Sequence, residues 1–353
     1  MSPIPESPTV KGRLIALALG LVLLVVTSEA ILRLTMPHWR EFFSGWFMHT
    51  VQVPGHGTVT TGRPGFDGHF AQNNGDFRVR IRINDFGLRN PEPVDKAGGR
   101  VWVVGDSMAF GWGVEQDEMY SSVIGKALGV LAYNVASPGT DVCGYQALLA
   151  RMPKEARPKA VVVGLILEND IHAYDCRKEA ARAAQPPDAA APEIDQNVRE
   201  FLIKNTAIYN FLAVSLKRVA FVRDTLTALG LIAEGHAYRR LLGEAETEIA
   251  IERTAAELAT LKAMLPEGIP MAVLIAPARF EIRDGDAYFR GLRQSMAAAL
   301  AKRGIAMVDP FEDFKRTGFG PTHFAHDGHW SPLGHQLAAD AAAAWLKRQG
   351  VGG

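Results

Sequence analysis

Two short strings contain the side chains best suited to chemistry, Gly105-Asp106-Ser107 and Asp327-Gly328-His329. A serine hydroxyl is a weak nucleophile until a base takes its proton, and an imidazole does that best when a carboxylate orients it. Ser107 follows the apolar run Val101-Trp102-Val103-Val104, so it falls on a strand-to-helix turn. Its own amide would then lie at a helix N-terminus, where negative charge is stabilised. Capping the next helix is the plainer role for such a serine. Two further strand ends offer donors for a developing oxyanion. Ser137-Pro138-Gly139 has a glycine whose amide can come close to a ligand, and Glu168-Asn169-Asp170 has a side-chain amide. An ordinary turn explains either one by itself. His323, His326 and His329 also admit a metal site, or histidines simply solvated on a loop.

Positioning these groups requires a sheet. Short, continuous apolar runs occur at Val101–Val104, Ala132–Val135, Ala160–Leu167, Met271–Ile275 and Ile305–Val308. Unbroken apolar strands are the mark of a parallel sheet buried on both faces. Helical segments separate them, such as Tyr120–Leu128, Gln146–Met152 and Ala287–Lys302. The alternation predicts an α/β fold with a doubly wound parallel sheet of five strands. In such sheets ligands bind beyond the carboxyl ends of the strands, which is where Ser107, Gly139 and Asn169 fall. An insertion from about 171 to 265 separates the third strand from the fourth. Its start is rich in Ala and Pro and is expected to be mobile, and Arg239–Met264 reads as helix. Near the C-terminus, Ser331-Pro332 begins a last helix with Leu337, Ala338, Ala341 and Trp345 on one face, leaving Asp327 and His329 on the loop before it.

Upstream, residues 37–99 form a small β-containing lead-in. Phe77, Val79, Ile81 and Ile83 alternate with Arg78, Arg80 and Arg82, a half-buried strand with a basic outer face, and Asn84-Asp85-Phe86-Gly87 reads as a turn. Residues 1–36 hold the apolar run Leu14–Val26, preceded by Lys11 and Arg13. Read through to Met36 it is a membrane-spanning helix with Glu29 and Arg33 near the far interface. Read to Val26 it is a signal-peptide core with a cleavage site at Ser28–Ala30, and a buried core helix is a third reading. The first two send the rest of the chain across a membrane.

Composition is that of an ordinary globular chain, with 48% apolar and 22% charged residues and no net charge. That balance gives no reason to expect nucleic acid as a partner. Two cysteines, Cys143 and Cys176, are too few for a disulfide-stapled scaffold or a cysteine-ligated metal. They lie on the loops beyond the second and third strands, and in an oxidising compartment they are expected to pair.

Taken together, Gly105-Asp106-Ser107, Gly139, Asn169 and Asp327-x-His329 resemble, in order and spacing, the four signature blocks of the SGNH, or GDSL-like, hydrolase superfamily. GDSMAFGWGV and the upstream NDFGLRNPE are similar to strings in membrane-anchored bacterial members. The resemblance implies a flavodoxin-like three-layer α/β/α sandwich over residues 100–353. It implies Ser107 as nucleophile, His329 as base and Asp327 as its orienting carboxylate. The Ser107 and Gly139 amides and the Asn169 side chain would form the oxyanion hole. Two departures stand out. Met108 replaces the leucine of the family name, a volume-conserving change. The usual aspartate three residues before the histidine is His326 here, whereas Asp327-Gly328-His329-Trp330 matches the Asp-x-His-Trp of members that acetylate polysaccharides. The implied function is an esterase or O-acyltransferase, without metal or cofactor, acting on an acetylated glycan or another cell-envelope ester. Its expected place is the extracytoplasmic side of a bacterial inner membrane. A non-catalytic assembly or glycan-binding protein on the same fold is the alternative.

Overall fold

A computed structural model describes residues 9–72, 75–183, 196–215, 221, 225 and 241–352. The chain divides into two compact units, Met1–Phe43 with Ala191–Leu231, and Ser44–Ala190 with Ile232–Gly353. The Ala/Pro-rich start of the insertion, expected to be mobile, lies largely outside the described residues.

The first unit is helical. Helix α1, Val10–Thr35, has 26 residues and buries none of them, and it is long and apolar enough to cross a bilayer. Helix α7, Ala207–Ser215, packs against it from the insertion, and α6, Gln196–Asn205, packs on α7.

In the second unit, two antiparallel hairpins come first: β1 (Met48–Val53) with β2 (Gly57–Gly62), and β3 (Asp67–Ala71) with β4 (Arg78–Arg82). Strand β4 carries the alternating stretch, with Val79 and Ile81 buried and the three arginines exposed. At its end Asn84 Oδ1 accepts from the amides of Phe86 and Leu88, which closes the expected turn.

The central sheet has five parallel strands in the order β6-β5-β7-β8-β9. They are β5 (Val101–Gly105), β6 (Ala132–Ala136), β7 (Ala160–Ile166), β8 (Met271–Ala276) and β9 (Ala306–Val308). The runs lack alternation because both faces are covered. On one face Trp102, Val104, Val163 and Val273 pack with residues of α4 (Val142–Arg151), α8 (Glu244–Ala263) and α10 (Ala287–Lys302). On the other, Val101, Val103, Val162 and Leu274 meet α3 (Tyr120–Leu128), α13 (Pro332–Arg348) and the β3–β4 hairpin. The result is a three-layer α/β/α sandwich.

The insertion is divided between the two units. Its ends, α5 (Cys176–Ala183) and α8, belong to the second, with Cys176, Ile251, Ala255 and Leu258 in the core, and α6 and α7 belong to the first. The sequence reading placed the whole insertion within the 100–353 domain, because its length is visible in the chain while the partners of α6 and α7 are distant in it.

Candidate active site

Strand β5 lies between β6 and β7, and the connections from β5 and β6 leave on opposite faces, so a cleft opens at their carboxyl ends. Gly105 closes β5 at φ +155, where a Cβ would stand 2.7 Å from the Ala109 side chain and 3.0 Å from the Gly164 carbonyl. No larger residue fits there. Asp106 then caps the short helix α2 (Ser107–Phe110), accepting from the Met108 amide at 3.2 Å. Ser107 is thus the first helical residue.

Its Oγ lies 2.8 Å from His329 Nε2. The other ring nitrogen, Nδ1, is hydrogen-bonded to Asp327. The loop holding both is fixed at each end. The Phe324 amide donates to the His329 carbonyl at 2.9 Å, and Ser331 caps α13 with Pro332 in its first turn. Trp112 lies beside the imidazole, with ring centroids 5.7 Å apart.

Two residues that bond Asp327 or its loop were not singled out from the sequence. Gln72 Nε2 donates to the second Asp327 oxygen at 2.6 Å. The Asp76 carboxylate accepts from the backbone amides of His326 and Asp327 at 3.0 and 2.8 Å. Both come from the lead-in, some 250 residues upstream, and neither belongs to a recognisable local pattern. His326 turns outward and bonds Asp76 at 2.7 Å, so the residue three before His329 takes no part in holding the imidazole. His323 is buried, hydrogen-bonded to Thr322 and stacked on Phe319, and burial pushes its pKa down to about 3. The three histidines do not converge, and among the described residues no group of three His, Cys, Asp or Glu side chains is placed to hold a metal.

Gly139 lies in the turn after β6 at φ +71, with open space where a Cβ would be. That loop is tied to β5 by the Ser137 amide, which donates to the Gly105 carbonyl at 3.0 Å. Asn169 follows β7, and its Nδ2 points to Asp106 Oδ2 at 3.4 Å, the same oxygen that Ser107 Oγ meets at 3.4 Å. Asp106 therefore stands under both the hydroxyl and the amide. Burial pushes its carboxyl up to about 6, against the opposing pull of His329 and its hydrogen bonds. The neighbouring Asp170 is also buried. Desolvation and then the Asp106 charge hold its pKa well above the usual carboxylate range, while Tyr145 and the Ile166 amide donate to it at 2.7 Å.

The NDFGLRNPE string braces this turn. Arg89 is wholly buried and donates to the carbonyls of Gly111 at 2.6 Å and Val114 at 2.8 Å, immediately after α2. Cys143 on α4 and Cys176 on α5 are joined in a disulfide, with Cα atoms 5.1 Å apart. The bridge lies beside a groove of about 390 Å³ whose lining includes Gly139, Thr140, Thr58, Thr60 and Glu179.

No family model and no curated protein matches the chain. Solved structures do. A member of the lipolytic G-D-S-L family from Veillonella parvula is 13% identical, with 71% of this chain and 100% of that one covered at a TM-score of 0.36. A family two carbohydrate esterase from Clostridium thermocellum, in complex with cellohexaose, is 12% identical, with 74% and 66% covered at 0.39. A carbohydrate esterase family 2 enzyme from Corynascus thermopiles is 13% identical, with 77% and 71% covered at 0.41. The chain is similar to GDSL/SGNH hydrolases in the order of its four blocks, and its five-stranded parallel sheet brings the serine and histidine of those blocks together.

Proposed function

We propose that this protein is a serine ester hydrolase or O-acyltransferase working through an acyl-enzyme on Ser107. The observation that carries this reading is the 2.8 Å contact between Ser107 Oγ and His329 Nε2, with Asp327 on the opposite ring nitrogen. Ser107 Oγ attacks the ester carbonyl as His329 Nε2 takes its proton. The tetrahedral oxyanion accepts from the Ser107 and Gly139 amides and the Asn169 side chain. Collapse expels the alcohol, which receives the proton from His329. Water, or a sugar hydroxyl, then attacks the acyl-enzyme with His329 again as base. Asp327 stabilises the imidazolium formed in each half, and Gln72 and Asp76 hold Asp327.

The groove beside Gly139 presents threonine hydroxyls and Glu179 rather than a long apolar channel, which supports a small acyl group on a hydroxylated carrier such as a glycan. The disulfide supports an oxidising, extracytoplasmic compartment for the catalytic fold, and α1 supports anchorage in a membrane. The choice between hydrolysis and transfer is tested with a chromogenic acetate ester, with and without an oligosaccharide acceptor. Release of chromophore with acetylated sugar as product establishes transfer, and free acetate alone establishes hydrolysis. No Ser107-dependent release in either arm contradicts the reading.

A further inference from the structure

The middle of the insertion is tied to the membrane helix in a way that catalysis does not require. Glu29, late in α1, accepts from the first two amides of α7, Ala207 and Ile208, both at 2.8 Å. Arg33, one turn on, bonds Glu29 at 2.7 Å and donates to the Asn205 carbonyl at the end of α6 at 2.6 Å. A carboxylate thus meets the positive end of one helix and a guanidinium the negative end of the other. Asn210 closes the corner, donating to the carbonyls of Ile203 at 2.7 Å and Thr206 at 2.9 Å.

The depth of this clamp follows from helix geometry. Arg13 to Glu29 is about 24 Å along the axis and Arg13 to Arg33 about 30 Å, at 1.5 Å per residue. The hydrocarbon core of a bilayer is about 30 Å thick. With Arg13 at one boundary, Arg33 reaches the other and Glu29 lies one helical turn, about 6 Å, inside it. Trp39, buried and flanked by the guanidinium groups of Arg33 and Arg40 at 5.5 and 5.0 Å, follows just beyond that boundary. The α6–α7 corner is therefore held at head-group level. There it exposes large apolar side chains: Val198 is 48%, Phe201 61% and Leu212 40% accessible. Apolar side chains fixed beside a membrane span face the head-group and acyl boundary.

We infer that α6 and α7 are an interfacial membrane-seating element, whose apolar side chains rest in the same leaflet boundary that α1 crosses, and that α1 is retained. The inference rests on reading α1 as a membrane span and is independent of the catalytic assignment.

The test uses the full chain reconstituted in phosphatidylcholine–phosphatidylglycerol vesicles. Both native cysteines are bridged, so a single added cysteine takes an environment-sensitive fluorophore. Phe201→Cys and Leu212→Cys each report on the corner, and Lys347→Cys, on the exposed end of α13, gives the aqueous reference. Burial about 5–10 Å into the boundary predicts that doxyl-labelled lipid quenches the first two at least about twofold more than the reference, and iodide correspondingly less. Labels at both positions as open to iodide as the reference would overturn the inference. So would labels shielded from iodide yet untouched by lipid quencher, since that marks a protein partner. Intact mass of the membrane-extracted chain is expected to include Glu29, and a mature N-terminus just after Ala30 would refute the anchor itself.

Discussion

Asp106→Asn is expected to make the protein more stable and less active at neutral pH. Asp106 is buried, and its carboxyl titrates at about 6 in the fold against an ordinary 3.8. The folded state therefore binds this proton more tightly than the unfolded state. The stabilisation this provides is complete below the unfolded value and is lost as pH rises through about 6. The rise in pKa corresponds to about 3 kcal/mol, which the wild type forgoes at pH 7 by holding the charge in place. Asparagine has the same shape without the charge. Part of the gain is offset, because its Nδ2 or its Oδ1 must now face the Asn169 amide and the Ser107 hydroxyl where one carboxylate oxygen accepted both. The net expectation is about 1–2 kcal/mol of added stability near pH 7, a melting-point rise of several degrees, turning into about 1 kcal/mol of lost stability near pH 4, where the charge no longer counts but the mismatched hydrogen bonds do. Turnover falls, since Asn169 loses the acceptor that aims it. The assay is thermal unfolding of both proteins at the two pH values, alongside chromogenic ester turnover. An equal stability difference at both pH values, or none at either, would refute the reasoning.

Asp327→Asn leaves the histidine loop in place but removes the charge opposite the imidazolium, so turnover should fall about a thousandfold or more while labelling of Ser107 continues slowly; near-normal turnover would mean that another group does this work. Gln72→Leu removes a 2.6 Å hydrogen bond to that carboxylate. Bonds to charged groups are worth about 1.5–3 kcal/mol, so kcat should drop roughly 10- to 100-fold with KM little changed, and a rise in KM alone would contradict the positioning role. His326→Ala should stay within about twofold of wild type, and a chelator should leave turnover unaltered; loss of activity restored by zinc would replace the triad with a metal-activated water.

The central strands were legible because a parallel strand buried on two faces has no polar position, and Val101–Val104 and Met271–Ile275 show none. Helix α10 was legible to the residue because Asp286 caps it and Gly304 follows it. Ser107 and His329 could be paired from sequence only through the resemblance of their strings to the SGNH signature blocks, since Ser107 by itself reads as a helix cap and His329 as a loop histidine. Gln72 and Asp76 could not. They act through the loop between β3 and β4, and only the packing of that hairpin on the sheet carries them to Asp327. Arg89 was equally opaque, since a buried arginine that donates to main-chain carbonyls leaves no trace in the residues it serves. The clamp between Glu29, Arg33 and the α6–α7 corner joins segments some 170 residues apart, a pairing that no window of sequence contains.

Covalent labelling by a fluorophosphonate tests the catalytic assignment most directly. Wild-type protein is expected to gain one phosphonyl group, located by peptide mass on Ser107, at a rate that follows the loss of ester turnover. Ser107→Ala, with unchanged melting temperature, is expected to gain none. Labelling of that variant at the wild-type rate, or a modified residue elsewhere in the wild type, would contradict the assignment of Ser107 as nucleophile.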